Sequence, residues 1–235
     1  MLRRLQLRGD ELILDAGCGT GRLTSELLAA LPRGAAIGFD LSQNMLQNAR
    51  KHLRHHEKVL LVAGDLLELP FGRVFDGIVS MAALHWVLDH DRLFKNFRDV
   101  LRPGGWIEAQ CGGGANLAGF RQRVRGLANT PAFAKFLAGF REPWLFQSAE
   151  GAAGALRQAG FVNVQTSLEA APTQLENRRQ YGEFISTMIL RRHLALMPNQ
   201  DLRADFVEKL AEQAATDDPP FLLDYWRLNL SASIA

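Results

Sequence analysis

Three aspartates and a serine stand where apolar runs give way to polar or small residues. Asp15 follows "ELIL", Asp40 follows "AAIGF", Asp65 follows "KVLLVAG" and Ser80 follows "VFDGIV". Gly17, Gly19 and Gly21 crowd behind the first acid, with Cys18 as a small residue between them. An ionised carboxylate has two oxygens and accepts several hydrogen bonds, so acids in such places suit the hydroxyls and amines of a ligand. The glycines let backbone approach a bulky ligand closely. A dinucleotide fingerprint needs a third glycine, in the order Gly-x-Gly-x-x-Gly. Arg22 occupies that position, and Asp15 would repel a pyrophosphate. The glycine loop therefore points to a ligand that carries an ammonium group.

The elements that must position these residues alternate along the first half of the chain. Residues 11–15, 35–40, 58–65, 74–80 and 106–111 read as strands. Between them, Leu23, Leu27 and Leu31 share one helical face, and Met45, Ala49 and Leu53 another behind Ser42 as N-cap. Asp91 is expected to cap a third helix carrying Leu93, Phe97 and Val100 or Leu101, ended by Pro103, Gly104 and Gly105. Uncharged strands separated by helices imply a mostly parallel sheet with helices on both faces. Right-handed crossovers then bring Asp15, Asp40, Asp65 and Ser80 to one edge, where ligands bind in open α/β sheets.

Beyond Cys111 the rhythm changes. Residues 149–161 read as a helix with Gly160 just past its end, leading to a strand near 161–168. Residues 177–197 and 201–215 are helical, and 221–234 has strand character. Segments 112–147 and 173–220 are expected to act as helical caps over the crevice within one domain spanning 1–235.

Composition bounds the function. The 235 residues carry a formal charge of +2, with 47% hydrophobic and 22% charged residues. That balance argues against bulk electrostatic binding of nucleic acid. No apolar run approaches the roughly 18 residues of a membrane span, and the basic start is broken by acids before a signal-peptide core develops. Two cysteines, Cys18 and Cys111, have no metal-ligand spacing. No metal, no nucleic-acid partner, no membrane association and a cytoplasmic location are expected.

"ILDAGCGTG" resembles motif I of the class I S-adenosylmethionine-dependent methyltransferases. "GFDLSQNML", "GDLLELPF" and "LRPGGWI" match further motifs of that family in order and spacing, so the resemblance covers about residues 10–111. It implies a Rossmann-like fold with an antiparallel last strand, and S-adenosyl-L-methionine as cofactor. It also implies that the Gly17–Gly21 loop packs on the methionine part while Asp15 holds the amino end. Asp40 would take the ribose hydroxyls, Leu41 and Met45 the adenine, Asp65 the adenine amino group, and Leu66 a ring nitrogen through its amide. Ser80 would lie beside the sulfonium. Family members usually carry a helix or two before the glycine loop. Only nine residues precede Asp10 here, so the expectation is either a truncated chain or a cap at 112–147 that substitutes for that cover.

The acceptor is read from "SMAALHWVLDHDRLF", residues 80–94. It lacks the Asn/Asp-Pro-Pro-aromatic signature of amino-group methylation. "LHWV" is similar to the trans-aconitate methyltransferase-like group and to the biotin-pathway enzyme acting on a malonyl carrier, which implies O-methylation of a small-molecule carboxylate. Such transfer needs alignment and exclusion of water but no obligatory base. Met81, His85 and Trp86 are the expected acceptor-side lining, with Arg191, Arg192 and Arg227 as candidate clamps on the acid. His85 is the one candidate catalytic residue, as a base for a hydroxyl or carbon acceptor; loss of turnover with cofactor binding retained is a further alternative. His52, His55 and His56, and Arg121, Arg123 and Arg125, read as solvent-facing. Oligomeric state is not legible.

Overall fold

The computed structural model describes Leu5 and residues 7–235, so most of the basic opening of the chain lies outside the described residues. The chain divides into two compact units. The first comprises residues up to Gly114 together with Pro143–Glu169 and Arg227–Ala235; the second comprises Ala115–Glu142 and Ala170–Trp226. Trp144 and Phe146, expected in a cap, thus belong with the sheet.

The first unit is built on β1 (Leu12–Ala16), β2 (Ala35–Asp40), β3 (Val59–Ala63), β4 (Phe75–Met81), β5 (Leu101–Gly112), β6 (Val162–Ala170) and β9 (Trp226–Ser233). They form one sheet in the order β3-β2-β1-β4-β5-β9-β6. Strands β1 to β5 pair in parallel, and β9 runs antiparallel to β5. Successive strand residues face opposite sides, which assigns the two cores. Leu14, Ile78 and Ile107 join Leu93, Phe94 and Phe97 of α3 (His90–Val100) and Leu156 of α6 (Ala149–Gln158). Ile13 and Val79 point the other way, onto Leu27 of α1 (Arg22–Ala30) and Leu31 at its C-cap. On that side Ala49 of α2 (Gln43–His52) packs with Leu28 and Ala36.

Ser42 caps α2 by accepting from Met45 N–H, and Gly160 adopts φ 93 past α6, both as expected. Helix α3 is capped by Asp89, whose side chain accepts from Arg92 N–H, and Asp91 sits in its first turn. The Pro103-Gly104-Gly105 run does not stop that helix. It ends at Val100, because buried Leu101 already pairs with Phe75, and β5 runs on through the bend with a register shift against β4.

In the second unit, α4 (Ala118–Ala128), α5 (Ala134–Leu137), α7 (Arg178–Phe184), a π-helical turn Ile185–Ile189, α8 (Arg191–Ala195) and α9 (Gln200–Ala215) accompany a two-stranded ribbon of β7 (Thr173–Gln174) and β8 (Leu222–Leu223). The expected closing strand over 221–234 is therefore two strands, with Leu222–Leu223 pairing to β7 and Trp226–Ser233 to the large sheet. The three arginines of α4 are not simply solvated. Arg121 and Arg125, one turn apart, both bind Glu142, and Arg123 makes a forked pair with Asp217.

Candidate functional site

The C-terminal ends of the parallel strands gather the expected residues. The glycine loop folds over the end of β2, where the Phe39 carbonyl accepts from both Gly17 and Cys18 N–H at 2.8 and 3.1 Å. Gly17, Gly19 and Gly21 have φ of 77, 55 and 77°, the left-handed region that glycine enters without steric cost. Their surroundings differ. A Cβ on Gly17 would stand 2.2 Å from Ala83 Cβ, and one on Gly21 would stand 2.7 Å from Leu53 Cδ1. A Cβ on Gly19 would meet open space. Gly17 and Gly21 are thus required by the protein's own packing, while Gly19 bares its backbone to the crevice.

Asp15 is 1% exposed. Being two residues from Ile13, it shares the α1 side of the sheet, and its Oδ2 accepts the Thr24 hydroxyl at 2.6 Å. Its Oδ1 is buried with no partner. Burial, reinforced by Asp40 and opposed by the Thr24 bond, raises its pKa to about 7. A buried oxygen without a donor is costly, and a ligand ammonium would satisfy it.

Asp40 ends β2. Gly19 N–H donates to its Oδ2 and Ser42 N–H to its Oδ1, both at 2.8 Å. The carboxylate thereby braces the glycine loop and keeps further lone pairs for other donors. Beside it Leu41 is 71% exposed, and Met45 is partly covered on the first turn of α2. Asp65 forms a turn in which Oδ1 accepts from Leu67 N–H at 2.9 Å, and Leu66 is buried next to it. Ser80 behaves differently from expectation. It is fully buried, and its hydroxyl donates to the Ala16 carbonyl at 2.6 Å, tying β4 to the end of β1.

Past β4, Ala82 takes φ 57 and the chain enters a 3₁₀ turn, Leu84–Trp86. His85 lies on this turn, two residues from the Ala83 methyl that abuts Gly17. Its carbonyl accepts from Leu145 N–H at 2.8 Å, which pins the 143–147 segment beside it. Ring centroids of Trp86 and Phe146 lie 5.1 and 5.7 Å from the imidazole, and Trp144 packs on both Trp86 and Phe146. Gly112 N–H donates to His85 Nδ1 at 3.3 Å. Burial, with His90 nearby, lowers the His85 pKa to about 4, so the ring is neutral at physiological pH. Met81 and Trp86 are largely open at this edge, at 42% and 43% exposure.

Arg227 is exposed and stands opposite Gly112 in the β5–β9 register, one strand from the atom that holds His85. Arg191 and Arg192 lie in the helical unit, where Arg191 lines an open cleft of about 840 Å³ with Arg178, Arg179 and Arg203. Cys18 and Cys111 are free, buried thiols. Burial, then Asp15 and Asp40, drives the Cys18 pKa far up, and burial pushes Cys111 to about 12, so neither supplies a thiolate. Among the described residues, no cluster of His, Cys, Asp or Glu could hold a metal ion, and no helix is long and apolar enough to cross a membrane. His52 and His55 are exposed, whereas His56 is half-buried against the Ser25 hydroxyl.

Sequence reasoning missed Thr24, Ala83, Gly112, Trp144 and Phe146. Ala83, Gly112, Trp144 and Phe146 each meet a partner far along the chain, and only the Trp-Leu-Phe alternation at 144–146 hinted at an apolar lining.

A family described as "Methyltransferase domain" matches residues 13–105. An uncharacterised methyltransferase of Schizosaccharomyces pombe is 27% identical over 99% of this chain and 90% of its own length. A demethylmenaquinone methyltransferase of Anoxybacillus flavithermus is 33% identical over 70% of this chain and 75% of its own length. A trans-aconitate 2-methyltransferase of Deinococcus radiodurans is 32% identical over 67% of this chain and 57% of its own length. Among solved structures, the YcgJ protein of Bacillus subtilis superposes with a TM-score of 0.68 at 16% identity, covering 100% of this chain and 96% of that one.

Proposed function

The chain belongs to the class I S-adenosylmethionine-dependent methyltransferases, and we propose that its acceptor is a small-molecule carboxylate, converted to a methyl ester. The bound cofactor supplies the methyl group, activated as a sulfonium. A carboxylate is already nucleophilic at neutral pH, so the protein's task is to align it and exclude water. One observation carries the reading: Gly112 N–H engages His85 Nδ1. A neutral imidazole has a single basic lone pair, and that bond occupies it, leaving His85 without the base that a hydroxyl or carbon acceptor requires. Arg227, opposite Gly112 in register, supports the reading as a cation suited to an acid. The trans-aconitate relative, named for methylating an acid, agrees with it.

On the cofactor side, the assignments are these. Asp15 Oδ1 receives the ammonium end, Gly19 gives close backbone approach, and Asp40 accepts the ribose hydroxyls. Leu41 and Met45 flank the adenine, and Asp65 and Leu66 meet its polar edge. Cys18 is a small buried member of the loop, and Ser80 holds the strand ends together behind it. Met81 and Trp86 line the acceptor side, with Arg227 as the clamp on the acid. Two free thiols suit a reducing compartment such as the cytoplasm.

The test is a panel of small carboxylic acids and phenols incubated with cofactor, read by S-adenosylhomocysteine release and mass spectrometry. The expected product gains one methyl that mild alkali releases. A methyl group stable to alkali, on an oxygen or carbon of a phenol, would overturn the reading. The second reading, a hydroxyl or carbon acceptor with His85 as base, is favoured by the relatives named for demethylmenaquinone.

A further inference from the structure

We infer that His85 is a specificity-determining hydrogen-bond donor, whose ring is fixed by Gly112 in the Nε2–H form and reads an oxygen of the acceptor. The identity of that oxygen rests on the carboxylate reading; the tautomer stands on this chain's own geometry.

Contacts from four residues fix the imidazole. The Leu145 N–H bond holds the backbone of the turn, the Trp86 and Phe146 rings confine the ring plane, and the Gly112 N–H bond selects the nitrogen. A backbone N–H can only donate, so Nδ1 must present its lone pair and the proton of the neutral ring resides on Nε2. Nε2 takes no partner among the described residues, and the ring is half-buried next to Trp86, which is exposed.

The groups facing the ring do not change its charge near neutrality. His90 Nε2 bonds the Leu84 carbonyl, and burial lowers the His90 pKa despite Asp91 and Asp89. The Cys111 thiol stays protonated. Arg227 is a permanent cation one strand away.

A fixed donor discriminates by chemistry. It welcomes a carboxylate or carbonyl oxygen and opposes an amine, whose N–H would face another N–H with no acceptor between them. It also gives no proton-transfer limb to the rate.

The experiment begins without any acceptor. Long-range ¹H–¹⁵N correlation of the protein labelled at histidine nitrogens is expected to show His85 as the Nε2–H tautomer from about pH 5 to about pH 8. An Nδ1–H tautomer, or a titration near the ordinary histidine value, overturns the inference. With an acid identified in the panel, His85→Phe keeps a ring against Trp86 and Phe146 but removes the donor. KM is expected to rise about tenfold with kcat changed far less, and His85→Gln, which retains an N–H, to recover part of it. An unchanged KM in His85→Phe overturns the role. A phenolic product alongside the Nε2–H tautomer overturns the proposed acceptor and leaves the donor assignment standing.

Discussion

Thr24 donates its hydroxyl to Asp15 Oδ2, and the other oxygen of the same carboxyl is buried with nothing to accept from. Half of this acid is thus organised by the fold, and half is reserved.

That arrangement sets a pH dependence. The Asp15 pKa is raised from 3.8 to about 7, so between those values the folded protein holds a proton that the unfolded chain has released. This group's contribution to stability therefore falls as pH rises through the window and levels off above it. A cationic ligand end reverses the preference and favours the ionised acid. S-adenosylhomocysteine affinity is expected to climb with pH up to about 7, by as much as about tenfold per unit, then flatten. Calorimetry in two buffers of different ionisation heat should report proton release. Equal heats in both buffers, with affinity flat in pH, would contradict the role given to Asp15.

The loop glycines should separate into two kinds. Gly17→Ala forces a methyl into Ala83 and strains a left-handed backbone, a cost of about 2–4 kcal/mol in stability. Gly19→Ala bears only the backbone strain, about 1–2 kcal/mol, yet places its methyl in the open crevice. Thermal melts are expected to rank Gly17→Ala lower, while Gly19→Ala loses more cofactor affinity than its melting loss explains. Parallel losses in both measurements at Gly19 would refute a ligand-facing loop.

Asp40 braces Gly19 and Ser42 while keeping acceptor capacity. Asp40→Ala is expected to weaken S-adenosylhomocysteine at least about tenfold, equal to about 1.4 kcal/mol, measured by titration calorimetry. Unaltered affinity would remove the ribose assignment.

Arg123 and Asp217 form a forked, half-buried pair within the helical unit. Arg123→Ala leaves the acid without its donors and is expected to cost about 1–3 kcal/mol in denaturant unfolding, with S-adenosylhomocysteine affinity unchanged. A variant as stable as the parent would make the pair dispensable.

Much of the sheet was readable because its signals are local. Apolar runs marked β1 to β4 within a residue or two, since a strand covered on both faces tolerates few charges. Ser42 announced the start of α2 because its side chain answers an amide three residues on. Local signals also misled where two residues compete for one place. Asp89 takes the cap, its side chain accepting from Arg92 N–H, and Asp91 falls in the first turn instead. Arg121 and Arg125 looked like solvated charges because their partner, Glu142, is 21 and 17 residues away.

By itself, the sequence determined a ligand with an ammonium end, and its four motifs, through their resemblance to the class I methyltransferases, implied the cofactor class. Glycines able to enter left-handed backbone, and acids at strand ends, are properties of residue type and order, so they survive without coordinates. Only the tertiary structure decided the protonation of the site. Asp15 owes its raised pKa to burial against α1 and to Asp40, and His85 owes its tautomer to an amide 27 residues along the chain. Charge state depends on what surrounds a group in space, and folding brings those surroundings from parts of the chain that no local pattern connects.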